Sequence, residues 1–168
     1  MKIDMILVFT IVVGIVAIPY IFFIFFGSNT TKKIHTKFKD EASKKDLSLA
    51  QTEKWNSRQI ALDTTKNILL YGRIMQDKLL FEAIDLNQIS QVNILEDSKT
   101  KRVDGKVTST LESLALTLTS KADGTPVTLN FYDSLFDSSQ NFEHKRATQW
   151  KNAIAQQLQI KTAANVAA

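Results

Sequence analysis

Two histidines, a short run of carboxylates and a scatter of cations are the residues of this 168-residue chain whose types could do chemistry. A histidine pair can pass a proton or hold a metal, but His35 stands among lysines and His144 far along the chain, and neither belongs to a metal-ligand spacing. Asp77, Glu82 and Asp85 are near enough in sequence to suggest two carboxylates dividing acid and base roles. No partner chemistry accompanies them, and solvated strand ends account for their charge. Gly14, Gly27, Gly72, Gly105 and Gly124 form neither a G-x-G-x-x-G turn nor a P-loop, so no phosphate cradle is evident. The absence of cysteine excludes thiolate metal sites, a cysteine nucleophile, disulfide staples and a lipidated cysteine. Trp55 and Trp150 read as packing residues rather than the walls of a ligand cage. The sequence thus predicts a protein without catalytic residues, cofactor or metal.

The cations do carry a pattern. Residues 5–26 contain no charge, and as a helix rising about 1.5 Å per residue they would span roughly 33 Å, enough for a hydrocarbon core of about 30 Å. Sixteen of them are Ile, Leu, Val or Phe, so insertion is favoured by several kcal/mol at roughly 0.3–0.6 kcal/mol each. Gly14 and Pro19 are tolerated in such helices. A cleaved export signal needs a shorter apolar run and small residues before the cut, and no Ala-x-Ala precedes Gly27. The expectation is a retained transmembrane helix over 5–26 after a four-residue flank. Lys32, Lys33, Lys37, Lys39, Lys44 and Lys45 follow it against Lys2 before it, which predicts the N-terminus outside and residues 27–168 in the cytoplasm, at the inner (plasma) membrane. Asn29-Thr30-Thr31 matches a glycosylation acceptor but would then lie on the wrong side.

Residues 27–57 hold seven Lys against four carboxylates, whereas residues 58–168 hold 13 basic and 12 acidic residues. A nearly neutral folded part argues against nucleic acid, which needs a basic face. The basic connector over 27–51 is expected to be partly helical, with Ile34, Phe38 and Ala42 recurring every four residues on a weakly apolar side. Its lysines can simply fix topology in a solvated connector, or touch anionic headgroups at about 1 kcal/mol each.

Downstream the period changes to two. Arg58 to Thr64 alternates with Ile60 and Leu62 on one face, Thr65-Lys66-Asn67 reads as a turn, and Ile68 to Tyr71 resumes a strand. Lys78–Phe81 and Ile89–Leu95 are further strands, while the polar stretch 96–110 with Gly105 reads as a mobile connection holding at most a partial strand. Leu114, Leu116 and Leu118, a turn at Asp123-Gly124, then Val127, Leu129 and Phe131 give a second hairpin and imply half-buried antiparallel sheet. Asn141 as cap, Glu143 in the first turn and the stripe Ala147, Trp150, Ile154, Leu158 predict a helix over 142–160 closing one opening of the sheets, followed by a frayed tail at 161–168.

A run of antiparallel strands followed by an amphipathic helix with a central Trp, carried by RQIALDTTKNILLY and ATQWKNAIAQQL, resembles the pleckstrin-homology-like superfold over about residues 52–160. It also looks like membrane-anchored bacterial proteins of unknown function that place such a domain after one helix. The expected fold is therefore mainly β with α: a transmembrane helix, then a sandwich or partly open barrel capped by the C-terminal helix. The resemblance implies a binding platform for peptides or headgroups. Phosphoinositide-binding members carry several basic residues around the first hairpin loop, where this chain offers Lys66 with Arg58 and Arg73 beside it. The preferred expectation is a tethered, non-enzymatic interaction module with a protein partner at a sheet edge or the groove beside the last helix. The alternative is an anionic headgroup-binding domain using Lys66, Arg58, Arg73 and the connector lysines.

Overall fold

The computed structural model describes residues 13, 15, 29–75, 78–103, 106–137, 139–140 and 142–166. The transmembrane expectation for 5–26 falls outside them apart from Val13 and Ile15, which are helical. Among the described residues no helix is long and apolar enough to cross a membrane. The protein is mainly β, with helix α1 (Asn29–Lys44), strands β1 (Gln51–Trp55), β2 (Arg58–Asp63), β3 (Ile68–Met75), β4 (Lys78–Asp85), β5 (Ile89–Val103), β6 (Lys106–Ser120) and β7 (Pro126–Asp133), and helix α2 (Glu143–Val166). The strands form two antiparallel sheets, β1-β2-β3-β4 and β5-β6-β7, and the two do not close into a barrel.

Turn chemistry sets the registers. Asn56 takes a positive φ of 43° between β1 and β2, and Asn67 one of 61° before β3, both tolerable because an Asn side chain suits the left-handed region. Between β6 and β7 the same need falls on Gly124, at φ 71°. The adjoining Asp123 accepts from the Thr125 hydroxyl and, at 3.0 Å, from its backbone N–H. Those donors hold its carboxyl down at about 2.

Alternation then fills the space between the sheets. Ile60, Leu62, Leu69 and Tyr71 from the first sheet meet Leu114, Leu116, Leu118, Leu129 and Phe131 from the second. The α2 stripe of Ala147, Trp150 and Ile154 completes this core, all three fully buried. Glu53 on β1 staples the helix by accepting from Arg146 Nε at 2.6 Å and Trp150 Nε1 at 2.7 Å. The Arg146 guanidinium lies 5.0 Å over the Trp55 ring, which stacks on Phe131 at 4.8 Å.

Three expectations change. The connector is not merely solvated: α1 lays Phe38 and Ala42 on the outer face of the first sheet against Ala61 and Leu70, with Leu47, Leu49 and Phe81 around them. Both faces of β2 are therefore covered and all six of its residues are buried, beyond the one face that Ile60 and Leu62 had marked. Within the stretch 96–110 the described residues are paired strand, Ser98–Val103 against Lys106–Leu111, because Thr, Val and Lys occur there without Pro and the hairpin register propagates outward. Finally, α2 continues through Val166, where Lys161, Ala163 and Ala164 favour helix and neither Gly nor Pro interrupts it.

Candidate functional site

A sandwich of two short sheets leaves two open corners. Here α2 packs over β5 and is bonded to β1, which closes one of them. At the other, β4 pairs only with β3 and β7 only with β6, so each carries an unpaired edge. Between these edges lies a cleft of about 470 Å³ lined by Glu82, Ala83, Ile84, Pro126, Val127 and Thr128. Ile84 is buried and Val127 half-buried at its floor, while Glu82, Ala83 and Thr128 are exposed at its rim. An apolar floor between two strand edges can take an extended peptide, whose backbone supplies the missing ladder bonds.

The rest of the β7 edge is already occupied. The Asn130 carbonyl accepts from Arg58 Nε at 2.9 Å and from the Tyr71 hydroxyl at 2.5 Å, and the Phe131 carbonyl from Trp55 Nε1 at 3.0 Å. Burial pushes the Tyr71 hydroxyl up to about 12 despite the nearby Arg58, so it serves as a neutral donor and not as a base. Pro126 has no N–H to offer. The seam accordingly has a usable stretch on β4 and a short one near Thr128.

The cations expected at a headgroup site are dispersed. Arg58 is buried, not lipid-facing: its Nη1 reaches Asp137 Oδ1 at 2.7 Å and its Nη2 the Asn130 side chain at 2.6 Å. It begins a strand on the core side, where a guanidinium must be paired to be buried. Arg73 is its cross-strand neighbour and half-buried. Lys66 bends back to the end of α1, donating to the carbonyls of Lys45 (3.1 Å) and Asp46 and to the Asp46 carboxylate at 3.1 Å. Lys37, Lys39, Lys44 and Lys45 are exposed, Lys44 pairing with Glu41 at 2.9 Å. Lys32 and Lys33 lie on α1. The first hairpin is also not the one the sequence suggested: the β1–β2 hairpin comes before it, turning at Asn56-Ser57 without a lysine.

The loop between β2 and β3 instead clamps α1. Asp63 is fully buried and accepts from the backbone N–H of Ser48 at 2.6 Å and of Thr65 and Lys66 at 2.8 Å each. Burial opposes its charge, but the three donors outweigh it and hold the carboxyl below its ordinary value. At the same place α1 ends in a Schellman turn, Leu47 N–H to Ala42 at 2.9 Å and Asp46 N–H to Ser43 at 3.0 Å, with Asp46 at φ 49°.

No family model, curated protein or solved structure matches this chain. The remaining chemical candidates stay apart. His35 stands on α1, while His144 on α2 faces Glu96 at 3.5 Å. Glu82 is at the seam, Asp85 caps the turn over Leu86–Gln88 through Asn87, and Asp77 and Asn141 lie outside the described residues. Among the described residues no group of three or more His, Cys, Asp or Glu is placed to hold a metal. Sequence reasoning missed Asp63 and Asp137. The first had a signal, an Asp just before a Thr-Thr-Lys-Asn turn, whereas nothing local marks the second.

Proposed function

We propose that this chain is a single-pass membrane protein whose pleckstrin-homology-like domain works as a non-enzymatic interaction module at the cytoplasmic face. Its partner is a protein that lends an extended segment to the seam between β4 and β7. The observation that carries this reading is the cleft between the two unpaired sheet edges, left open while α2 closes the opposite corner. Support for the superfold comes from the four-plus-three antiparallel arrangement and the C-terminal helix that buries Trp150. Support for the tether comes from the uncharged run 5–26 followed by lysines. Confinement beside a bilayer raises the effective concentration toward neighbours there, so weak strand addition suffices.

A headgroup site built on Arg58, Lys66 and Arg73 has less support, because Asp137 engages the first and the end of α1 the second. A photo-crosslinking residue placed at Glu82 or Thr128 in cells tests the seam. The expected result is one discrete protein adduct at both positions and none at Asp123, in the β6–β7 turn. Equal, diffuse labelling at all three positions would sink the reading.

A further inference from the structure

The turn after β7 presents two large apolar side chains to solvent: Leu135 is 84% and Phe136 53% exposed. This is a built turn. Asp133 accepts from the Leu135 N–H at 3.0 Å through its side chain, and its carbonyl accepts from Phe136 and Asp137 at 3.0 and 2.8 Å. The Asp137 carboxylate in turn accepts from the Asp133 N–H at 2.9 Å and is itself neutralised by buried Arg58. A buried Arg58–Asp137 pair and a half-buried Asp133 thus hold an apolar pair outward, the reverse of what solubility alone asks.

Beside it stands a cationic arm. The last pair between β6 and β7 is Ser113 with Asp133, yet β5 and β6 stay paired to Val103 and Lys106. That is a two-stranded ribbon reaching roughly 20 Å past the sheet. Such ribbons are marginal in water without something to rest on. Lys99, Lys101 and Arg102 are exposed along it, and Ser134 N–H on Glu112 O at 2.9 Å ties its base to the apolar turn. Asn56 and Arg58, which meet Asp137, mark the same end of the first sheet. From that end α1 runs inward: Phe38 packs beside Gly72, and the helix finishes near Lys66 at the opposite end.

We propose that the Leu135-Phe136 turn and the Lys99, Lys101 and Arg102 ribbon form a second contact with the bilayer, the apolar pair entering the interface of an anionic leaflet while the cations meet its headgroups. The charge favours lipid, since exposed cations near an anionic surface are attracted, while the carboxylates at the turn's base are already engaged: Asp137 by Arg58, Asp133 by the Leu135 N–H and Glu112 by Lys99 at 3.5 Å. The inference rests on the membrane-anchored reading. It fixes which end of the domain faces the membrane and leaves the seam accessible.

The chain has no cysteine, so single cysteines can be introduced into the full-length protein and labelled with a polarity-sensitive fluorophore. F136C, D123C and I15C, reconstituted in phosphatidylcholine vesicles with or without phosphatidylglycerol, are read by quenching from nitroxide lipids. The expected result is quenching at F136C and not at D123C in the anionic vesicles, weakened by reversing Lys99, Lys101 and Arg102 to Glu, at roughly five-fold in the contact equilibrium per cation. If I15C is quenched while F136C is as aqueous as D123C, the second contact is overturned and the anchor stands. If I15C escapes quenching, the anchor falls and this proposal with it. Quenching at F136C that is indifferent to the charge reversal overturns the ribbon's role.

Discussion

At the scale of single residues, two buried charges organise the molecule, and their partners say what each is for. Asp63 spends its carboxylate on three backbone donors that bring the start of the post-helical loop onto the β2–β3 turn. Replacing it with Ala takes the acceptor from three part-buried N–H groups that water can partly reach, so each costs toward the low end of about 1–3 kcal/mol and a loss of about 2–4 kcal/mol in urea unfolding is expected. Because the folded carboxyl titrates below the ordinary value of about 3.9, its contribution is complete above that pH and is lost as pH falls toward the folded value. D63N should therefore flatten the acid side of the stability profile, and an unchanged acid slope would argue against the role given to it. Arg58 answers Asp137. R58M strands a buried carboxylate, for which about 3–5 kcal/mol is the usual cost. Restoring neutrality in R58M/D137N should return part of that in a double-mutant cycle, whereas strictly additive losses would mean the two do not couple.

At the scale of elements, the docking of α1 is the feature least visible in the chain. Ile34, Phe38 and Ala42 showed a stripe, but one weak stripe beside six lysines is equally the pattern of a solvated connector. What decides is a hollow on the sheet that only the register reveals. Gly72 faces Phe38, and a Cβ there would stand 3.0 Å from the Phe81 ring and 3.4 Å from Phe38. G72V should consequently loosen α1, read as faster amide exchange over residues 34–42 with the core strands unchanged. F38A should do the same at a cost of about 3–5 kcal/mol, and unaltered exchange in both variants would contradict the docking. The β2–β3 and β6–β7 hairpins and the α2 stripe were legible because alternation and helical spacing are local. The outer ribbon was not, since Asp, Ser and Lys look like loop when the strand they extend is unknown. Nor was the seam, which exists only where strands 40 residues apart in sequence come together, Ile84 of β4 and Val127 of β7 among them.

At the scale of the whole molecule, the parts fall into one arrangement: an apolar run, a helix seated on one sheet, a second helix closing one corner, and a seam left open at the other. In the proposed tethered arrangement seating matters, because a domain on a loose linker tumbles, whereas one whose connector is docked on its sheet is oriented. Position dependence should follow: lengthening the chain between Lys44 and Gln51 with a flexible insert should cut adduct formation from Glu82 in cells without lowering protein level, and an unaffected yield would show that orientation is irrelevant. The claim on which all this depends is that residues 5–26 hold the protein in lipid. Alkaline carbonate washing of membranes from cells making the full chain tests it most directly. The account predicts full-length protein retained in the pellet, and a shortened chain released into the wash would contradict it.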